Sequence, residues 1–317
     1  MRTNEIRKFY NINDFMNHLS TIKTEKMLCD SRDIEFVEID GCLHLSIDNS
    51  EIPVRETALN TILSRLGVYG PTWRRTFDFE LAECFKTLRH YLPKYVSVMV
   101  SDGCVNSMNS QQYVHIPMTD IMEATLQTVQ NYCKDEVKTE ITTGYDATVI
   151  RFSTDKKVKF NGSSRTLIIT LMNSESGESA VHFGAFLQNN QGGNIPFMTD
   201  MTVIHRGEST IESVEESLSA MDAAINKAIK AVRRLEKRTI AYPVSTVKRV
   251  GKRIGLPEKY TNMVISAVQN LTTCTAADIF EQFSLSLADV ENYATLERYK
   301  NDVLKLVALD WDVYDKK

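Results

Sequence analysis

Alternating apolar and polar residues mark two hairpins in the first third of the chain. The runs at 35–39 and 42–47 flank Asp40-Gly41, and the runs at 95–101 and 104–110 flank Asp102-Gly103. An Asp-Gly pair suits a two-residue hairpin turn because both turn positions need positive φ. The pattern therefore predicts two antiparallel hairpins.

Apolar residues spaced three and four positions apart predict four helices around these hairpins. They cover residues 12–27, 53–66, 80–92 and 118–133. Pro53 suits a first helical turn, and Gly67 suits the end of the same helix. The segment from 137 to 206 is rich in strand-forming runs with turn signals between them, which favours a meander of four or five antiparallel strands.

The last third of the chain is predicted to be helical. A long amphipathic pattern covers 209–238, and shorter helices are predicted near 244–254, 258–270, 275–283 and 288–308. Together these patterns predict an α+β fold, an antiparallel β-meander with packed helices and a helical C-terminal third. We expect the chain to divide into an α+β region, 1–206, and a helical region, 207–317.

Composition and the absence of targeting signals predict the cellular compartment. The chain has 317 residues, of which 43% are hydrophobic and 25% charged, as in average globular proteins. The opening residues show no apolar signal-peptide core, and no run is long enough to span a membrane. Six cysteines occur without a C-x-x-C pair. We expect a protein of the bacterial cytoplasm with no membrane contact.

Motifs for enzymatic chemistry are weak. Neither a phosphate-binding P-loop nor a G-x-G-x-x-G fingerprint, a zinc-binding histidine spacing or a G-x-S-x-G elbow occurs. His44, His182 and His205 could converge across a sheet, and the polar segment 173–178 places Glu175 directly after an apolar strand. A hydrogen-bonded histidine and a polar hairpin turn are the simpler interpretations. The sequence thus predicts no cofactor, metal or catalytic residue, and favours a binding protein over an enzyme.

The strongest signal is a concentration of basic residues in an acidic chain. The stretch 227–253 holds ten basic residues and one acid, a formal charge of +9, so the rest of the chain carries −13 and the whole chain −4. Lys and Arg at helical spacing form an electrostatic footprint for phosphates, and neighbouring aromatics can stack on bases. The predicted nucleic-acid-binding residues are Trp73, Arg74, Arg75, Lys227, Lys230, Arg233, Arg234, Lys237, Arg238, Tyr242, Lys248, Arg249, Lys252 and Arg253. A solvated helix face is the alternative.

Four segments resemble a protein family. They are IPVRETALNTILSRLGV (52–68), VMVSDGCVNSMNSQQYVHIPMTDIMEA (98–124), LMNSESGESAVHFGAFL (171–187) and TAADIFEQFSLSLADVENYATLERYKNDVLKLV (275–307). In order and spacing they are similar to a phage/plasmid-like family known only as a domain of unknown function. The family's C-x-N-G after the N-S-E-x-G strand is missing here, where LQNNQGGN stands. The resemblance implies a mobile-element origin and no catalytic residues.

Two functional hypotheses follow, from different classes. The first is a nucleic-acid-binding accessory protein of a mobile element that binds or anneals single-stranded DNA in recombination or replication. A meander followed by a long helix is broadly similar to ring-forming annealing proteins, and this analogy implies a homo-oligomer. The second is a protein-interaction module, whose basic stretch contacts an acidic protein surface, a host or defence factor, or another copy. An enzyme with an unrecognised site around Glu175 is a third alternative.

Overall fold

The computed structural model describes residues 5–70, 73, 76–174, 176–177, 179–290 and 293–317. The predicted α+β class is confirmed, since antiparallel sheets and helices both make up large parts of the chain. The strands are β1 (Arg7–Phe9), β2 (Thr24–Asp30), β3 (Ile34–Ile39), β4 (Cys42–Ile47), β5 (Ser50–Pro53), β6 (Tyr95–Ser101), β7 (Cys104–Ser110), β8 (Lys138–Thr143), β9 (Thr148–Phe160), β10 (Ser163–Asn173), β11 (Val181–Gln188), β12 (Asn194–Pro196), β13 (Met201–Val203), β14 (Thr239–Ile240) and β15 (Cys274–Thr275).

The helices complete the chain and dominate its last third, as predicted. They are α1 (Ile12–Thr21), α2 (Ala58–Arg65), α3 (Asp78–Leu88), α4 (Met118–Gln130), α5 (Ile211–Leu235), α6 (Pro243–Ile254), α7 (Glu258–Val268), α8 (Ala276–Leu285), α9 (Tyr293–Leu304) and α10 (Trp311–Tyr314). None of the helices in the described ranges is long and apolar enough to cross a membrane.

The predicted meander is the centre of the large sheet. β8, β9, β10 and β11 follow one another as antiparallel neighbours, with β1 at the β8 edge and both β12 and β13 paired to β11. One face of this sheet is apolar, with Ile141, Phe152 and Ile169 fully buried. The opposite face carries a polar row, since Arg151 lies beside Thr170 and Thr170 beside Gly184.

Both predicted hairpins are present. Asp40 and Gly41 join β3 to β4 with φ of 51° and 76°, and Asp102 and Gly103 join β6 to β7 with φ of 50° and 69°. Positive φ at both positions matches the right-handed twist of the paired strands, which is why the Asp-Gly pair predicted them correctly.

Two predicted helices were partly wrong. The first ends at Thr21 rather than near residue 27, because Thr24–Asp30 pairs with β6 along its whole length. The second starts at Ala58 rather than Pro53, because Ser50–Pro53 pairs with β4. In both cases pairing with a neighbouring strand outweighs the local helical pattern.

The described residues form two hydrophobic cores. The larger lies between the apolar face of the large sheet and the helices α4 and α5, and continues into α6, α7 and α8. The smaller lies between β2–β7 and the helices α2 and α3. The larger core includes residues on both sides of position 207. The predicted division into an α+β region, 1–206, and a helical region, 207–317, stays a prediction.

The long helix α5 explains how basic residues come to the surface. Its buried positions follow the helical repeat, and they are Val214, Leu218, Met221, Ile225, Ile229, Val232 and Leu235. This stripe packs on the large sheet and on α4. Because the period is 3.6 residues per turn, the face opposite the stripe is left to solvent.

Candidate nucleic-acid interface

Several of the predicted basic residues are exposed on the C-terminal half of α5. Lys227, Lys230 and Arg234 lie outside the buried stripe, and all three are exposed, as is Lys237 just after the helix. The start of the same helix is acidic, with Glu212 in its first turn. Cations near the carboxyl end and acids near the amino end both complement the helix dipole.

Further predicted basic residues are exposed on α6. The buried residues of this helix include Thr246, Val247, Val250 and Ile254. The exposed residues between them are basic, and they are Lys248, Arg249, Lys252 and Arg253. Two consecutive helices therefore expose cations along their solvent faces.

Three of the predicted cations are used inside the protein. Arg233 donates from Nε to the Lys159 carbonyl oxygen at 3.1 Å, and Arg238 forms an ion pair with Asp312. Arg249 donates through both terminal nitrogens to the carbonyl oxygens of Tyr314, Lys316 and Lys317, at 2.7 to 3.1 Å. These three side chains stabilise the fold, so their charges are only partly available to a partner.

Seven predicted cations remain exposed with no ion pair to any residue in the described ranges. We call this set the basic surface: Lys227, Lys230, Arg234, Lys237, Lys248, Lys252 and Arg253. The connection between the helices adds one predicted aromatic, Tyr242, a residue that is 43% exposed. The structure thus places these seven predicted cations and one predicted aromatic on α5, on α6 and on the segment between them.

The other predicted aromatic lies elsewhere. Trp73 packs against the smaller core, with its ring 6.5 Å from that of Phe85. Arg74 and Arg75, predicted beside it, lie outside the described residues. Of the two predicted aromatics, Tyr242 is therefore the one that lies on the segment between the basic helices.

The C-terminal segment fixes the start of α6. Both carboxylate oxygens of Asp315 accept from the Ala241 amide, at 2.9 and 3.0 Å, and Oδ1 also accepts from the Tyr242 amide at 2.9 Å. Burial alone would raise the pKa of Asp315, but these amide hydrogen bonds and the Thr246 hydroxyl lower it overall. Asp315 thus acts as an N-terminal cap supplied by a distant segment, and it holds α6 in place.

The described residues of the predicted polar segment 173–178 form hydrogen bonds to several other parts of the chain. Asn173 is fully buried and its side-chain oxygen bonds His205 Nε2 at 2.9 Å, while the other ring nitrogen bonds the Val114 carbonyl at 3.0 Å. Asn109 donates to the Ser176 carbonyl oxygen at 3.0 Å, which links this turn to β7. Glu175, the carboxylate predicted here, lies outside the described residues.

The three histidines bond to different partners. His44 bonds the Cys42 carbonyl within the small sheet, and His205 bonds Asn173. His182 bonds the hydroxyls of Ser179 and Thr202, at 3.1 and 3.2 Å. Across the ranges that are described, no three His, Cys, Asp or Glu side chains are grouped as metal ligands.

A cavity of about 410 Å³ lies between the polar face of the large sheet and α9. Its lining includes Arg151, His182 and Asp200 from the sheet side, and the ion-paired Glu297 and Lys300 from α9. The Ser179–His182 contact resembles part of a nucleophilic pair, but the partner on Nδ1 is a hydroxyl, which cannot stabilise an imidazolium as a carboxylate does. The sequence patterns did not predict this cavity, because its residues come from separate segments.

Comparison with known proteins adds no relative: no family model, no curated protein and no solved structure matches this chain. The resemblance to the phage/plasmid-like family therefore stays a prediction from sequence.

Proposed function

We propose that this protein binds nucleic acid through the basic surface of α5 and α6. The observation that carries the proposal is the set of seven exposed cations, free of ion pairs to the described part of the chain, on adjacent segments of a protein whose formal net charge is −4. If these cations only faced solvent, nothing would require positive charge to be concentrated on α5 and α6 while the rest of the chain is acidic. Phosphates are common biological groups that bind exposed Lys and Arg side chains.

Counterion release gives this proposal a quantitative signature. Each phosphate neutralised on duplex DNA contributes about −0.9 to the slope of log K against log salt, and on a single strand about −0.7. If most of the seven cations contact phosphates, the duplex slope should be about −4 to −6. Because Tyr242 is the aromatic that this surface offers, we expect electrostatics rather than base stacking to dominate.

The first test is fluorescence anisotropy of the full chain with a labelled single strand and the matching duplex across a salt titration. We expect binding at low salt that weakens steeply as salt rises. Neutralising Lys248 and Lys252 to Gln should reduce the slope by about one for each phosphate that is no longer neutralised. The comparison of strand and duplex also tests the single-strand preference predicted from the sequence.

A matched control separates the basic surface from overall charge. Lys86 on α3 and Lys138 on β8 are exposed outside the basic surface. The double variant Lys86→Gln, Lys138→Gln removes the same charge as Lys248→Gln, Lys252→Gln and should keep the salt slope of the unchanged protein. Equal reductions in both double variants would contradict the assignment to α5 and α6. No binding at low salt would reject nucleic acid as the partner and leave an acidic protein surface as the interpretation.

A further inference from the structure

The helices α6 and α7 are joined by a turn of three residues. α6 ends at Ile254, and Gly255 then adopts φ of 82°, the left-handed conformation that glycine accepts most readily. The Gly255 amide donates to the Gly251 carbonyl at 3.2 Å, and the Leu256 amide donates to the same oxygen at 3.3 Å. Pro257 then precedes the first turn of α7. A short connection that contains glycine between two packed helices is a feature of helix-turn-helix units.

The two helices pack closely through small and apolar residues. A Cβ atom at Gly251 would lie 2.5 Å from the Thr261 hydroxyl oxygen and 2.8 Å from its methyl carbon. Only glycine allows this approach of α6 to α7. Val250, Leu256 and Val264 are buried around the contact. The pair is thus a fixed unit and not two independently mobile helices.

Both ends of this unit are fastened. β14 before α6 pairs with β15 after α7, and the Ala276 amide donates to the Arg238 carbonyl at 2.8 Å. Asp315 also caps the start of α6. Because both ends of the α6–α7 unit are held by other segments, α7 is presented in one orientation. Recognition of a rigid surface requires such a fixed orientation.

The outer face of α7 is exposed and has the chemistry of a recognition helix. Tyr260, Val264 and Val268 are buried, whereas Lys259 and Asn262 are exposed. Met263, 44% exposed, and Ser266 lie on the same side. Asn pairs with adenine and Lys with guanine edges in the major groove, and apolar groups contact the thymine methyl.

We propose that α6 and α7 form a helix-turn-helix that reads double-stranded DNA, with α7 in the major groove and α6 on the backbone. The inference rests on the proposed function and deepens it, since the exposed Lys248, Lys252 and Arg253 on α6 would supply the phosphate contacts that position α7. The major groove of B-form DNA, about 12 Å wide, accepts a helix, whereas the corresponding groove of an RNA duplex is too deep and narrow. Phosphate contacts position the protein and the side chains of α7 select the sequence.

The test is selection of binding sites by the full chain from a library of duplexes with a randomised centre, followed by sequencing. We expect one short motif to be enriched. Asn262→Ala should lower the preference for that motif over a scrambled duplex by about 10- to 100-fold, the effect of removing one base-specific pair of hydrogen bonds. Its affinity for the scrambled duplex should stay unchanged. Asn17→Ala, an exposed asparagine on α1, is the matched control and should keep the motif.

Each other outcome has a distinct meaning. Binding to all duplexes with no enriched motif would overturn the recognition role of α7 and leave the proposed nucleic-acid binding intact. A motif that survives Asn262→Ala, Lys259→Ala and Ser266→Ala together would also overturn it, because another element would then read the bases. No binding to any duplex or strand at low salt would reject both proposals. Circular dichroism of each variant verifies that these exposed substitutions leave the fold unchanged.

Discussion

Asp200 lies against the backbone of β11 because Gly184 has no side chain. A Cβ atom at Gly184 would lie 2.3 Å from Asp200 Oδ1 and 2.8 Å from Thr170 Oγ1. Burial raises the pKa of Asp200, and the nearby Glu297 adds to this, while Lys300 and His182 act in the opposite direction. Glycine in a strand interior often marks such a close approach, and here it makes room for a carboxyl group in the cavity.

The raised pKa of Asp200 predicts how Asp200→Asn changes stability with pH. An acid whose pKa is raised by folding favours the native state below its unfolded pKa, about 4, and loses that contribution as pH rises through the folded pKa. At neutral pH the ionised carboxylate therefore destabilises the protein. We expect Asp200→Asn to increase the free energy of unfolding at pH 7, and the gain to shrink as pH falls through the folded pKa and to be lost once the pH is below the unfolded pKa, about 4.

Denaturant unfolding across pH measures this difference. Asp289→Asn removes an exposed carboxylate from the segment just before α9 and serves as the control for the removal of one negative charge. A difference for Asp200→Asn that is constant with pH, or that grows toward acid, would contradict the burial effect.

Among the elements, α6 and α7 are fixed by the contact between Gly251 and Thr261. Glycine inside a helix costs about 0.5–1 kcal/mol relative to alanine when no contact opposes the side chain. Here the neighbouring helix opposes it, because the added Cβ would overlap the Thr261 side chain. The balance between helix propensity and overlap determines the sign of the substitution.

We expect Gly251→Ala to lower the free energy of unfolding by about 1–3 kcal/mol, the usual cost of overpacking. Thr261→Ala removes the hydroxyl and methyl groups that lie nearest to the new atom. The double variant should therefore be more stable than Gly251→Ala alone, which a double-mutant cycle from chemical denaturation measures. Additive effects of the two substitutions would show that Gly251 is not required by this contact.

Across the whole molecule, the two hydrophobic cores meet through polar contacts. The Arg55 guanidinium lies 3.5 Å from the centre of the Tyr145 ring, and the Tyr145 hydroxyl donates to Asp102 at 2.9 Å. The Asn106 side chain donates to the Tyr145 carbonyl oxygen at 2.7 Å. Arg55, Asp102 and Asn106 belong to the segment of the smaller core, whereas Tyr145 lies in the loop between β8 and β9. Tyr145 therefore links the segment that forms the smaller core to the large sheet.

Substitutions at Tyr145 test this coupling. Tyr145→Phe removes the hydrogen bond to Asp102 and keeps the ring under Arg55, so we expect the free energy of unfolding to fall by about 1 kcal/mol. Tyr145→Ala also removes the cation–π contact and should cost about 2–3 kcal/mol. Calorimetry should show the two cores unfolding in separate transitions in Tyr145→Ala, because less interaction energy joins them. Equal stability of the Phe and Ala variants would contradict the role of the ring.

Features that depend on residues near one another in the chain could be predicted from the sequence. Asp-Gly pairs predicted both hairpins, the apolar repeat predicted α5, and turn-separated strand runs predicted the meander, because φ preferences and side-chain periodicity are local properties. The concentration of charge in 227–253 was equally visible. Gly251 and Gly255 together signal the paired helices α6 and α7, although the apolar spacing predicted them only as separate helices.

Features that depend on distant partners became visible only once the chain was folded. Thr24–Asp30 and Ser50–Pro53 are strands because β6 and β4 supply their backbone hydrogen bonds. Which cations are free also depends on packing, because Arg238 and Arg249 bind a C-terminal segment more than sixty residues away. Packing likewise placed Trp73 in the smaller core and brought Asp200 over Gly184. Spacing along the chain does not encode such contacts, since they form only when separate segments pack together.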